Sequence, residues 1–305
     1  MRILVVGAGA TGGYFGGRLS QAGRDVTFLV RGKRADVLRH NGLHLITPDG
    51  EITLQPRLIT AAEINQAYDI ILLTVKAFGL ESALNDIAPA VGPETIIMPI
   101  LNGMKHLEVL TARFGEHAVI GGLCKIAATL DEQGRVVQLS RLHELTYGER
   151  DGSISDRIGR LDALCRDAGF TARLSTTIIN DMWEKWLLLA SLGAITCLMR
   201  GNIGQVAAAP DGDLFARSVI NEILAVIVSA GYQRRENYIA DTTALLTLKD
   251  STQTSSMYRD MNQGYQVEAD QVLGDLVAIG KRAGLVTPLL CAAYTHLAVY
   301  QRSRG

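Results

Sequence analysis

The sequence predicts an α/β domain built on a mostly parallel sheet, over residues 1–174, followed by an all-α domain, over residues 175–305. Three observations predict it. The first half alternates short β-rich runs with helical patterns, as parallel β-α-β units do. A glycine-rich segment, Gly7-Ala8-Gly9-Ala10-Thr11-Gly12, directly follows the first apolar run. From Ser175 onward β-type patterning stops and helical periodicity runs to the end. At roughly 150 residues per domain, the 305 residues suffice for two cores.

The elements follow in order. Strands are expected at residues 3–6, 26–30, 70–75, 95–98 and 118–121, with helices at 14–22, 35–39, 80–87 and 106–113. The run Ile70-Ile71-Leu72-Leu73 is continuously apolar, as a strand buried on both faces must be. Two hairpins interrupt the alternation: 44–54, turning at Pro48-Asp49-Gly50, and 126–139, turning around residues 131–134. A separate strand over 142–147, a helix over 154–168 and a strand over 170–174 complete this half. The second half reads as helices at 176–198, 214–230, 235–248, 261–283 and 287–300, broken at Gly201-Asn202, Pro210-Asp211-Gly212, Gly231 and Gly284.

Composition narrows the function. Thirty basic residues balance 31 acidic ones, so no long-range field draws nucleic acid or anionic lipid, and a small molecule is the expected partner. Four scattered cysteines never form a CxxC; they argue for a reducing, cytoplasmic setting and against a disulfide framework or zinc site. His40 and His44 lie four apart, but Asn41-Gly42 separates them and no third ligand is near, so no metal is expected. The apolar stretch 186–199 is shorter than the ~18 residues a bilayer demands and reads as a buried helix. The apolar helical half can pack internally or pair with a second copy.

The 31 glycines exceed an average share of about 7%, and six fall in the first 17 residues. A strand, then G-x-G-x-x-G, then a helix is the Rossmann dinucleotide arrangement. Gly7 would make the tight turn, Gly9 would let the backbone approach a pyrophosphate, and Gly12 would let helix and strand pack closely. The free amides at the helix start favour phosphate. The bland alternative is a glycine turn with no ligand. An NAD site usually offers a carboxylate about 20 residues later; here the second strand ends in Arg31-Gly32-Lys33-Arg34. Cations there would pair with a 2′-phosphate, which predicts NADPH over NADH; a solvated basic turn is the competing reading.

Several motifs together resemble the ketopantoate reductases (2-dehydropantoate 2-reductases) over nearly the whole chain. They are Gly7–Gly12, Arg31, Thr74-Val75-Lys76-Ala77-Phe78, Asn102-Gly103-Met104, Trp183-Glu184-Lys185-Trp186, Ser255-Ser256-Met257 and Glu268-Ala269-Asp270. The resemblance implies NADPH-dependent reduction of a 2-oxo acid at a cleft between two domains. It implies that Lys185 donates a proton to the ketone oxygen and that Glu268 orients substrate near it. It further implies that Asn102 bonds substrate or the nicotinamide ribose, and that Ser256, a better match than Ser255, lies near the substrate carboxylate. Without it, Lys76 reads as an anion-binding or solvated lysine just past a strand, Asn102-Gly103 as an ordinary turn, and Glu268 as a solvated acid on a helix face. The tryptophans flanking Lys185 suggest a partly desolvated ammonium, the state in which a lysine serves as a proton donor.

The sequence departs from the resemblance at three positions. Leu189, Gly193 and Leu273 stand where asparagines are usual in that family. Losing such amides predicts a less polar pocket, so the substrate is ketopantoate or a more apolar 2-oxo acid. Two other readings compete: a hydroxyacyl or 6-phosphogluconate type of dehydrogenase, which the TVKAF, WEKW and SSM motifs oppose, and a non-catalytic NADPH-binding sensor, which needs neither Lys185 nor Glu268.

Overall fold

The computed structural model describes residues 1–304. The chain forms two compact units: Met1–Leu101 with His106–Ile179, and Asn102–Lys105 with the chain from Asn180 onward.

The first unit opens with β1 (Arg2–Val6), α1 (Ala10–Gln21), β2 (Asp25–Leu29), α2 (Gly32–Asn41), β3 (Leu43–Thr47), β4 (Gly50–Leu54) and β5 (Arg57–Ile59). It continues with β6 (Ile70–Leu73), α3 (Leu80–Ile87), β7 (Ile96–Pro99), α4 (Lys105–Phe114), β8 (Gly121–Leu130), β9 (Val136–Gly148), α5 (Asp156–Cys165) and β10 (Thr171–Leu174). One sheet is wholly parallel, in the order β5-β2-β1-β6-β7. The chain leaves β1 toward β2 on one side and later returns to β6 on the other. The carboxyl ends of β1 and β6 therefore flank a switch point, where open parallel sheets bind ligands. A second sheet runs β10-β9-β3-β4, with β8 antiparallel to β9.

Helix α1 lies between the two sheets, and its glycines make that possible. A Cβ on Gly16 would stand 2.7 Å from the Phe28 ring of the parallel sheet. On the other face, a Cβ on Gly17 would stand 3.0 Å from Leu45, and one on Gly13 2.8 Å from Val136, both of the second sheet. Each such glycine costs about 0.5–1 kcal/mol relative to alanine, and close packing on two sides offsets it.

The first unit departs from the sequence pattern at four places. Residues 118–121 are no strand of the parallel sheet: a 3-10 turn, Glu116–Ala118, precedes a single bridge from Val119 to Ile97, and β8 begins at Gly121. Residues 142–147 are not a separate strand but the end of the 13-residue β9. β5 escaped the sequence pattern because three residues carry no periodicity. α5 is shorter than expected at both ends; the Ser155 hydroxyl caps it by accepting from the Ile158 amide.

The second unit is helical: α6 (Ile178–Met199), α7 (Ile203–Ala208), α8 (Gly212–Ser229), α9 (Glu236–Leu246), α10 (Ser256–Asn262), α11 (Asp275–Arg282) and α12 (Pro288–Ser303). Among the described residues, α6 is the one helix long and apolar enough to cross a membrane, and 72% of its most apolar window is buried. The expected helix over 261–283 is broken. Gly264 adopts φ +74°, its amide bonds Met261 O, and the Tyr265 amide bonds Asp260 O at 2.8 Å. That is the paired bonding of a glycine helix stop. Helix resumes at Ala269 and passes through a π-turn, Asp270–Gly274, into α11. Glu268 thus sits just before a helix rather than on the face of one.

Candidate active site

In the first unit the glycine segment occupies the carboxyl end of β1. Gly7 turns at φ +96°, a conformation other residues rarely adopt. A Cβ on Gly12 would fall 2.0 Å from Gly7 O and 2.2 Å from Thr74 Oγ1, so only glycine lets α1 start this close to the strands. The Thr74 hydroxyl, at the end of β6, lies 2.8 Å from the carbonyl oxygens of both Val6 and Gly7 and ties the turn to its neighbouring strand. Gly9 differs: a Cβ there would meet nothing within 4 Å. No side chain caps α1, and its first turn carries no acid. The amides of Ala10, Thr11 and Gly12, without intrahelical partners by geometry, begin a helix whose N-terminus favours an anion. These residues fit a dinucleotide pyrophosphate: the space a Cβ would fill at Gly9 is open, and the two other glycines are sterically required.

The four-residue cationic turn divides its labour. Arg31, the N-cap of α2, is 54% exposed at its side chain, and its Nε donates to Asp86 Oδ2 of α3 at 2.7 Å. Its Nη2 donates to the same oxygen. Arg34 turns inward instead. Its Nε donates to Ala8 O at 2.7 Å and its Nη1 to Gly134 O at 2.6 Å, while Nη2 is enclosed without a hydrogen-bond partner. Burial holds this guanidinium below the usual arginine range. Arg34 therefore buttresses the glycine segment from beneath. Lys76 is exposed on the turn after β6, at the same edge of the sheet.

The second unit holds the remaining candidates. Lys185 is half-buried on α6 and makes no hydrogen bond or ion pair with any described residue. Its tryptophan neighbours do not enclose it. Trp183 and Trp186, three apart, stack on each other at 5.3 Å on a buried face of α6. A helix advances about 100° per residue, which points position 185 away from that face. Glu184 is likewise committed elsewhere: buried with Asp181, it shares Arg235, whose Nη1 lies 2.8 Å from Asp181 Oδ1 and 3.2 Å from Glu184 Oε2. The Asp181 bond, with the two carboxylate charges, raises Arg235 further despite its partial burial.

The Trp186 indole donates to Val272 O, in the π-turn, at 2.9 Å. Gly103, beside Asn102, adopts φ +82°, and a Cβ on it would lie 2.9 Å from Gln271 O and 3.8 Å from the Trp186 ring. The Asn102-Gly103 turn, α6 and the segment after Glu268 thus converge within this unit. Glu268 is 9% exposed, not the solvated acid that its bare sequence context implies. Ser255 and Ser256 separate by role. The Ser255 hydroxyl is buried, accepts from the Tyr258 amide at 3.0 Å and bonds Thr196 Oγ1 at 3.0 Å, whereas Ser256 is exposed at the start of α10.

Of the three positions lacking an expected amide, only Leu189 is partly accessible. Gly193 is covered by Met257, whose Cε stands 2.4 Å from where a Cβ would be. Leu273 is fully buried. Arg34, expected among the cations for a 2′-phosphate, instead bonds Ala8 O and Gly134 O; Thr74 was named only within its motif, and Asp86 was missed as a shaper of the cofactor edge. Asp86 carried no local signal; only the strand order brings α3 beside the end of β2. No cluster of three metal-ligating side chains occurs among the described residues.

Two family models match, described as ketopantoate reductase PanE/ApbA over residues 3–152 and its C-terminal domain over 177–301. The chain is 36% identical over 304 residues to an uncharacterized oxidoreductase, YkpB, of Bacillus subtilis, with 100% of both chains covered. It is 27% identical over 299 residues to a 2-dehydropantoate 2-reductase of Streptococcus pyogenes, covering 97% of this chain and 96% of that one. Its fold matches a crystal structure of 2-dehydropantoate 2-reductase from Geobacter metallireducens, with TM-score 0.88, 26% identity and 98% and 99% coverage.

Proposed function

The chain belongs to the ketopantoate reductase family of pyridine-nucleotide oxidoreductases, and from that premise we propose that it reduces a 2-oxo acid to the 2-hydroxy acid with NADPH. The substrate is ketopantoate or, as we favour, a more apolar analogue. The observation that carries the reading is Lys185: a half-buried lysine whose ammonium has no internal partner is a proton donor held ready for substrate.

In this reading the nicotinamide, when bound, supplies a hydride to C2. The amides at the start of α1 and the open side of Gly9 would hold the pyrophosphate, Arg31 would take the 2′-phosphate, and Lys76 would complete the cofactor side of the first unit; Asn102, in the second unit, would bond substrate or the nicotinamide ribose. Lys185 gives its proton to the ketone oxygen as C2 becomes tetrahedral, so no free alkoxide has to form. Glu268, buried on the same unit, orients substrate. Ser256 offers a hydroxyl to the substrate carboxylate; a hydroxyl neutralises no charge, so other cations or amides must share that task.

Leu189 and the methyl of Met257 over Gly193 support the apolar preference. Where the family's amides would bond substrate hydroxyls, this chain has hydrocarbon, and a hydroxylated acid would leave its hydroxyls unpaired. NADPH oxidation by the purified protein, followed against a panel of 2-oxo acids that includes ketopantoate, tests both parts. We expect apolar acids to exceed ketopantoate in kcat/KM, and NADPH to exceed NADH. Efficient reduction of ketopantoate overturns the apolar reading; equal kcat/KM for the two cofactors overturns NADPH.

A further inference from the structure

We propose that Asp86 is a specificity-determining residue, a built-in counter-ion that occupies Arg31 and weakens its hold on the 2′-phosphate of NADPH. The inference rests on the NADPH reading above and goes beyond it. One oxygen of Asp86 accepts from both Nε and Nη2 of Arg31, which is one complete edge of the guanidinium. That edge is one a phosphate would otherwise take, because paired N–H groups recognise carboxylate and phosphate alike.

The pair lies at the sheet edge that receives the adenosine end in this fold type. Arg31 follows β2 directly, and Asp86 is carried there by α3, which follows β6. Neither group is deeply buried: the Arg31 side chain is 54% exposed and that of Asp86 21%, so the pair can open. Its net charge is zero. An incoming 2′-phosphate must displace the carboxylate or sit beside a like charge, whereas an adenosine ribose that ends in a hydroxyl meets neither cost. The cations beside it do not replace Arg31. Arg34 is spent on Ala8 O and Gly134 O, and Lys33 is an exposed point charge without a paired-donor edge.

The test measures affinity without turnover. Binding of 2′,5′-ADP and 5′-AMP, which differ at the 2′-phosphate, is titrated calorimetrically with the wild-type protein, Asp86→Asn, Arg31→Ala and the double variant. NADPH and NADH are compared by fluorescence. Asp86→Asn should tighten 2′,5′-ADP and NADPH about three- to tenfold, the range expected for one partly exposed like charge, and move 5′-AMP and NADH less than about twofold. The gain should vanish in the Arg31→Ala background. Unchanged or weaker 2′,5′-ADP binding in Asp86→Asn, while Arg31→Ala still loses 2′-phosphate discrimination, overturns the role of Asp86 alone. If Arg31→Ala leaves that discrimination intact, Arg31 is not the phosphate ligand and both statements fall.

Discussion

Replacing Gly9 and Gly12 by alanine, one at a time, separates cofactor binding from folding at positions three residues apart. At Gly12 the new methyl would stand 2.0 Å from Gly7 O and 2.2 Å from Thr74 Oγ1. The backbone carbonyl cannot retreat without opening the turn, and the hydroxyl is held on two carbonyls. Overpacking of this kind costs about 1–3 kcal/mol or more, which for a unit of this size lowers Tm by roughly 3–10 °C. At Gly9 the methyl meets nothing within 4 Å, and φ −77° suits alanine. The entropic gain from removing a glycine, about 0.4–1 kcal/mol, is offset by alanine's poorer N-cap behaviour, so stability should stay within about 1 kcal/mol of wild type. The same methyl would stand where phosphate oxygens must approach the amides. Losing one charge-assisted hydrogen bond, about 1.5–3 kcal/mol, weakens NADPH about ten- to a hundredfold. Thermal unfolding and NADPH fluorescence titration on the two variants supply the numbers. Normal NADPH affinity in Gly9→Ala, or wild-type stability in Gly12→Ala, would refute the assigned roles.

Three further perturbations follow from the same geometry. Lys185→Ala should lower kcat by about 10²–10⁴ with NADPH affinity unchanged in fluorescence titration; near-normal turnover contradicts proton donation. Leu189→Asn should raise kcat/KM for hydroxylated 2-oxo acids relative to apolar ones by about tenfold, whereas Gly193→Asn should need Met257→Ala beside it, since Met257 fills that space. Burial alone would raise the Glu149 carboxyl, but its bonds to Arg157, at 2.7 and 2.6 Å, and to the Ser155 hydroxyl lower it below its ordinary value of 4.5. A depressed folded value stabilises above pH 4.5 and is lost as pH falls through that folded value. Urea unfolding should therefore show Glu149→Gln less stable by about 1–3 kcal/mol at neutral pH, with the gap closing in acid; a gap independent of pH would count against the pairing.

The parallel sheet and the glycine turn were legible because both rest on local chemistry. Continuous apolar runs such as 70–73 and glycines at fixed offsets need no distant partner to be recognised. The helical half was legible in kind but not in its breaks. Gly264 stops α10 through a bonding pattern that one glycine in an otherwise helical stretch does not announce, and the π-turn after Glu268 has no compositional mark. The site was legible by residue type more than by environment. Arg31 and Arg34 sit in one basic turn, yet one is exposed and meets Asp86 while the other is inside, holding Ala8 O. The tryptophans flanking Lys185 suggested a desolvated ammonium, but helical rotation carries them to another face. Long-range pairings of this kind depend on strand order and helix phase, which pattern reading resolves only coarsely.

The central claim is hydride transfer from NADPH to the C2 carbonyl of a 2-oxo acid, with the oxygen protonated by Lys185. Its most direct test is turnover with NADPH deuterated at both C4 positions, followed by mass and proton spectra of the hydroxy acid. The account predicts one deuteron at C2 of the product in the wild-type protein and a severe loss of that product in Lys185→Ala. NADPH left unoxidised by every 2-oxo acid, or a product whose C2 hydrogen comes from solvent, would contradict it.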